Sequence, residues 1–211
     1  MVPRPLRPRF APRIWALLFA FALLASGCSQ QAKLPLLPPD AVVLAFGDSL
    51  TYGTGANEEE GYPAQLARLT GRRVVREGIP GEVSAAGLAR LPALLDAHRP
   101  RLLLLCHGGN DFLRRLPKAQ AAENVRAMIR LAKSRGIDVL LIGTPEIGFT
   151  LTPPEFYADI AKQAAIPYEG DVLTKILRNS ELKSDQIHPN AKGYRLMAER
   201  VAELLRKSGA I

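Results

Sequence analysis

From residue 41 onward, short apolar runs alternate with longer stretches in which apolar positions recur every third or fourth residue. The runs 41–47 (AVVLAFG), 74–78, 101–107 (RLLLLCH) and 138–143 (DVLLIG) are at most seven residues long and rich in leucine or β-branched side chains. They are too short for buried helices, and they predict core strands. The stretches 61–69, 84–97, 116–135, 154–165 and 190–207 predict helices. The last of these places Ala191, Tyr194, Met197, Ala198, Val201, Leu204 and Leu205 on one face, then stops near Gly209 with Arg206 and Lys207 at the negative end of its dipole. Residues 167–184 carry little periodicity and predict a loop with a short helix over 172–178. No internal repeat is present. Strand and helix in strict rotation predict an α/β fold with a parallel sheet covered on both faces. Ligands of such sheets bind outside the carboxyl ends of the strands, so chemistry is expected just after Gly47, Gly78, His107 and Gly143.

The first 40 residues follow a different pattern. A basic, proline-rich start precedes 12 consecutive apolar residues, Ile14–Ala25, and then Ser26, Gly27 and Cys28. This is the layout of an export signal, and the apolar run is too short for a spanning helix, which needs about 20 residues. Leu24-Ala25-Ser26-Gly27-Cys28 resembles the bacterial lipoprotein box, with Ala25 where leucine is commoner. The resemblance implies cleavage before Cys28 and lipidation of its thiol; an ordinary signal peptide cleaved near Gly27 is the alternative. Two or more acyl chains give a stable anchor, so the expectation is an exported protein held at a membrane through Cys28. Ser29, where inner-membrane lipoproteins tend to carry Asp, points to the outer membrane of a host that has one. Residues 29–40 have no period that would pack and read as a tether. The expected organisation is therefore a signal over 1–27, an anchored tether over 28–40 and one domain over 41–211, consistent with a core for a 47% hydrophobic chain of 211 residues.

Composition changes this picture little. Of the eight net positive charges, four sit on Arg4, Arg7, Arg9 and Arg13 in the export signal. The rest are spread through pairs such as Arg72/Arg73 and Arg114/Arg115 and follow no single predicted helix face, which argues against a nucleic-acid partner. Two cysteines in such different contexts form no disulfide framework, and Cys106 reads as a small buried residue at a strand end. His98, His107 and His188 lack the spacing and carboxylate company of a zinc site, so no metal or cofactor is expected; His98 and His107 read as solvated or supporting.

Four segments fall where chemistry is expected. Phe46-Gly47-Asp48-Ser49-Leu50 follows the first strand: Ser49 could be a nucleophile on a sharp turn, or Asp48 and Ser49 could cap a helix. Gly81, after the second strand, could present a bare N–H to a developing oxyanion or simply make a turn. His107-Gly108-Gly109-Asn110-Asp111 follows the third, and an Asn amide is an uncharged donor suited to an oxyanion; the composition equally suits a turn. No G-x-S-x-G accompanies the His-Gly-Gly string, which excludes the α/β-hydrolase reading. Near the end, Asp185-Gln186-Ile187-His188-Pro189 puts an acid three residues before a histidine that Pro189 keeps out of the final helix. Asp185 could orient the imidazole of His188 toward a serine, or both could merely cap.

In order and content these segments resemble the GDSL/SGNH hydrolases: Ser in G-D-S-L, then Gly, Asn in G-x-N-D, and Asp-x-x-His. The resemblance runs from about residue 43 to the C-terminus. It is closest to the branch of multifunctional thioesterase/lysophospholipases and arylesterases, as in GYPAQLARL at 61–69 and SAAGLARLPALL at 84–95. It implies a flavodoxin-like three-layer α/β/α fold, a triad of Ser49, Asp185 and His188, and oxyanion donors from Ser49 (backbone), Gly81 and Asn110. His107 departs from the family, where its position is apolar or small, and residues 144–170 do not follow the family's substrate loop. The activity implied is that of a serine esterase on acyl or aryl esters, with lysophospholipids and thioesters as related substrates. Carbohydrate O-deacetylation by the same triad, or a non-catalytic lipid- or glycan-binding lipoprotein, are the alternatives. Phe112, Leu113, Ile147, Phe149 and Leu151 could line an acyl pocket or pack loops on the core. A monomer acting on a small ester or lipid, with the membrane as its one other partner, is the expected working form.

Overall fold

The computed structural model describes residues 32–148 and 150–211, so the expected signal segment, Cys28 and Phe149 lie outside the described residues. Five strands form one parallel sheet: β1 (Val42–Gly47), β2 (Arg73–Gly78), β3 (Leu102–Cys106), β4 (Asp138–Ile142) and β5 (Tyr168–Glu169), in the order β2-β1-β3-β4-β5. Successive residues of each strand face opposite layers. Val43 and Ala45 of β1, with Leu102, Leu104 and Cys106 of β3, enter one apolar cluster, while Leu44, Phe46, Leu103 and Leu105 enter another. Burial on both faces is why these runs show no polar alternation.

Helices α2 (Tyr62–Thr70), α7 (Val172–Arg178) and α8 (Ala191–Ser208) cover the first face. Helices α3 (Ser84–His98), α5 (Lys118–Ser134) and α6 (Phe156–Ala164) cover the second. Short helices α1 (Ser49–Tyr52) and α4 (Gly109–Leu113) follow β1 and β3 directly. The result is the expected flavodoxin-like α/β/α arrangement, with the strand order 2-1-3-4-5. Because the chain leaves β1 toward β2 and then crosses to β3 on the other side, a crevice opens at the carboxyl ends of β1 and β3. The residues that follow those two strands are Asp48-Ser49 and His107–Asn110.

Three expectations need correction. The stretch 167–184 contains β5 as well as the short helix; two residues paired with Leu141 and Ile142 are too few to show a period. The segment after β3 is a helical turn, α4, entered through Gly108. The expected tether docks from Lys33 onward, where Leu34 and Leu37 donate backbone N–H groups to the carbonyls of Ser208 (2.9 Å) and Ala210 (2.8 Å) at the end of α8. Leu37 is 3% exposed and belongs to the core, while its neighbour Leu36 is 72% exposed, so only part of this stretch packs as core rather than linker.

Candidate active site

Helix α1 begins one residue after Asp48, whose carboxylate accepts the Leu50 N–H (3.1 Å) and caps the helix. The capping and nucleophilic readings of this segment therefore fall on adjacent residues: Asp48 caps, and Ser49 is presented in the first turn. The turn is possible because Gly47 has no side chain. A Cβ there would be driven into the carbonyl of Cys106 and the hydroxyl of Thr51. At the head of α4, Gly108 has φ +112°, and a Cβ would strike the Tyr157 hydroxyl, which donates to the His107 carbonyl (2.7 Å).

Ser49 meets residues from almost the far end of the chain. Its Oγ lies 3.0 Å from His188 Nε2, and His188 Nδ1 lies 2.7 Å from Asp185 Oδ2. A carboxylate only accepts, so Nδ1 carries the ring proton and the Nε2 lone pair faces the hydroxyl, which donates. Asp185 Oδ1 also accepts the backbone N–H groups of Ile187 and His188, both at 2.8 Å. Desolvation pushes the Asp185 carboxyl up, but the bonds from the imidazole and the two amides outweigh it and hold the group below the ordinary carboxylate range. The loop is pinned by the Lys183–Pro189 bridge and by Ser184 N–H on the His188 carbonyl (2.9 Å), so the imidazole is supported from behind.

Asn110 faces this pair from α4. Its Nδ2 donates to Asp48 Oδ2 (3.1 Å) and to the Glu82 carbonyl (3.0 Å). Asp48 is buried, which raises its pKa; His107, the Leu50 amide, His188 and Asn110 offset part of that shift. Gly81, the residue before Glu82, sits in the turn after β2 at φ +78°. Among the described residues no acceptor bonds its N–H, while its carbonyl accepts from Arg114 (2.7 Å).

A charged cluster behind this turn was not read from the sequence. Glu82, with a side chain 6% exposed, accepts from Arg90 Nε and Nη2 (both 2.8 Å at their shortest) and from His107 Nε2 (3.1 Å). His107 is fully buried rather than solvated, and its Nδ1 accepts the Gly108 N–H. Helix α3 passes so close over this ring that only Gly87 fits there, since a Cβ would clash with Nε2. Beside the cluster, Asp111 accepts both the N–H (2.8 Å) and the hydroxyl (2.7 Å) of Ser84. The loops after β2 and β3 are thus clamped together by the carboxylates of Glu82 and Asp111, in addition to the bonds from Asn110 and Arg114. A histidine closing a buried apolar run was the available signal, because a buried ring nitrogen needs a polar partner.

A narrow cleft with an accessible volume of about 30 Å³, partly open to solvent, lies over Ser49, Asn110 and His188. Of the expected pocket residues, Leu113 and Ile147 line it, joined by Leu50, Pro145, Leu177 and Ile187. Phe112 does not: it is 8% exposed and packs edge-on against Phe156 and Tyr157, because α4 turns it inward. Leu151 packs on the first apolar cluster instead, at φ +49°.

The model of the GDSL-like lipase/acylhydrolase family matches residues 45–196. Esterase TesA of Pseudomonas aeruginosa is 33% identical over 193 residues, 85% of this chain and 95% of that protein. The thioesterase 1/protease 1/lysophospholipase L1 of Escherichia coli K12 is 30% identical over 90% of this chain and 92% of its own. Among solved structures, the psychrotrophic esterase EstA from Pseudoalteromonas sp., inhibited by monoethylphosphonate, superposes with TM-score 0.68 at 25% identity, covering 80% of this chain and 98% of that one. The chain belongs to the GDSL-like lipase/acylhydrolase family and is an ester-hydrolysing serine hydrolase.

Proposed function

We propose that Ser49, His188 and Asp185 form the triad of an esterase that works through an acyl-serine. The observation that carries this reading is the unbroken chain Ser49 Oγ, His188 Nε2, His188 Nδ1, Asp185 Oδ2, with steps of 3.0 and 2.7 Å. His188 Nε2 takes the hydroxyl proton as Ser49 Oγ bonds to the carbonyl carbon of the ester, and Asp185 holds the tautomer and stabilises the imidazolium. The carbonyl oxygen becomes an oxyanion, received by Asn110 Nδ2 and the N–H groups of Ser49 and Gly81. Asn110 is anchored by the Glu82 carbonyl, and the bond it exchanges for the oxyanion is the 3.1 Å one to the buried Asp48. Collapse expels the alcohol or thiol, which leaves with the proton from His188. Water, deprotonated by the same nitrogen, then releases the acid.

The apolar lining of the cleft by Leu50, Leu113, Ile147, Leu177 and Ile187 favours acyl or aryl groups over sugars. The esterase, thioesterase and lysophospholipase names of the relatives support the same class. Lipidation of Cys28 and export, supported by the lipoprotein-box resemblance, complete the reading. The test is a fluorophosphonate probe followed by peptide mapping, with turnover of a short p-nitrophenyl ester beside it. Ser49 is expected to carry the label, and Ser49→Ala to lose both label and turnover. A Ser49→Ala enzyme that keeps its activity refutes the assignment.

A further inference from the structure

Basic residues that follow no pattern along the chain gather at one pole of the domain, the end where the strands begin. Arg73 opens β2 opposite Val42, and the N–H of Arg101 donates to the Val42 carbonyl just before β3. Arg99 caps the end of α3 and Arg135 the end of α5, while Arg72 reaches across to the Leu37 carbonyl (3.0 Å). Arg99, Arg101 and Arg135 border a groove of about 500 Å³ that is open to solvent. The carboxylates here are fewer. Asp96 is paired with Arg135 (2.8 Å), Asp138 is partly buried, which raises its pKa against the pull of Arg101 and Lys133, and Asp40 is exposed. Arg73, Arg99 and Arg101 are exposed and form no salt bridge with any described residue.

The N-terminal segment reaches the domain at this same pole. Residues 33–37 are strapped to the end of α8, with Lys33 Nζ on the Lys207 carbonyl (3.1 Å) and Leu34 and Leu37 on Ser208 and Ala210. Cys28 precedes Ala32 by four residues in the sequence. The active site is at the other end: α8 starts three residues after His188 and runs 18 residues, roughly 27 Å, to Ser208.

We propose that this basic pole docks on an anionic phospholipid surface, turning the active site toward the aqueous side, so that the enzyme takes esters from solution rather than from the bilayer beneath it. The choice of substrate rests on the esterase reading above; the docking does not. Charge complementarity and the point at which the N-terminal segment joins the domain select the same face, and a bilayer is the occupant that both would fit. Each exposed arginine near an anionic bilayer adds a comparable increment of attraction.

The test uses the mature chain, as processed by the exporting cell, on phosphatidylcholine vesicles with and without phosphatidylglycerol. With the anionic lipid, hydrogen exchange is expected to slow at 98–101 and 134–137 and to stay unchanged at 79–82 and 110–115. The triple variant Arg73→Gln, Arg99→Asn, Arg101→Gln is expected to lose the anionic-lipid-dependent part of partitioning on the order of 100-fold, with turnover of a soluble ester unchanged. Vesicle-bound enzyme is expected to cleave a soluble p-nitrophenyl ester as fast as enzyme in detergent, and lysophospholipid within the same vesicles far more slowly than in micelles. Protection at 79–82 and 110–115, or partitioning indifferent to both lipid charge and the substitutions, overturns the docking; rapid cleavage of the vesicle's own lysophospholipid overturns the outward orientation. Failure of the esterase reading registers separately, as no turnover of any ester with the exchange pattern intact. Failure of Cys28 lipidation registers as a mature chain without the acyl mass and with the same charge dependence.

Discussion

Glu82→Gln isolates the clamp that holds the loop carrying Gly81 against the loop carrying Asn110. The carboxylate is 6% exposed and receives the Arg90 guanidinium and the His107 ring. Gln keeps the shape but turns an NH₂ toward one of these donors and removes the charge opposite Arg90. Breaking a buried ion pair by removing one partner costs about 3–5 kcal/mol. Arg90 is 20% exposed and retains the Gly47 and Glu77 carbonyls at 3.2 and 3.1 Å and the Glu77 carboxylate at 3.7 Å. The expected loss is therefore about 2–3 kcal/mol, a Tm drop of roughly 5–10 °C for a domain of this size. The pH dependence follows from the same contacts. Desolvation pushes the Glu82 carboxyl up, yet the bonds from His107 and Arg90 and the charge of Arg90 bring it below its ordinary value of 4.5. A depressed carboxylate stabilises the fold above the unfolded value, and the contribution is lost as pH falls through the folded one. The gap in urea stability between wild type and Glu82→Gln should be full at neutral pH and narrow as pH falls below the ordinary carboxylate value of 4.5, closing once the folded-state carboxyl is protonated. The kcat for a short ester should fall on the order of ten-fold with KM nearly unchanged, since Asn110 is aligned rather than touched. A variant within about 0.5 kcal/mol of wild type at neutral pH, or a gap that does not narrow in acid, refutes this account of the clamp.

Two further outcomes follow from the same geometry. Asn110→Ala should lower kcat on the order of 10²–10³ with little change in KM, read from saturation curves on a p-nitrophenyl ester, because the amide serves the oxyanion and not the ground-state ester. Gly108→Ala should cost about 2–3 kcal/mol in urea denaturation, since φ +112° disfavours any side chain and the new Cβ displaces the Tyr157 hydroxyl from the His107 carbonyl.

What could be read along the chain and what could not divide on a physical line. Strands buried on both faces leave continuous apolar runs, and α8 leaves a long stripe, so the layers and the places where the chain turns were legible. Ser49, Asn110, Asp185 and His188 were legible because each sits in a loop at a strand's carboxyl end or before the last helix, where polar residues among glycines and a proline have few packing reasons to be there. Phe112 was left open between pocket and core because α4 turns the segment inward over five residues, too few to show a period. Leu37 was taken for linker because isolated apolar residues among prolines have no period at all.

The clamp was illegible for a deeper reason. Glu82, Arg90 and His107 come from a turn, a helix and a strand end, and each alone reads as a surface charge or a stray histidine. Only the β2-β1-β3 order brings the loop after β2 and the loop after β3 to the same crevice, although β1 separates those strands in the sheet. Once they meet, the chemistry is constrained. Arg90 spans the gap, donating to the Gly47 carbonyl at the end of β1 as well as to Glu82, so one guanidinium touches the segment that presents Ser49 and the turn that presents Gly81. His107 ties that turn to the strand that leads into Asn110. The three loops that carry Ser49, Gly81 and Asn110, the proposed nucleophile and oxyanion donors, are therefore held by one buried charge cluster, while the imidazole is held independently by Asp185 in the loop before α8. Disturbing the cluster should loosen the oxyanion donors and leave the bond between Ser49 and His188 standing, which separates its contribution from that of the triad.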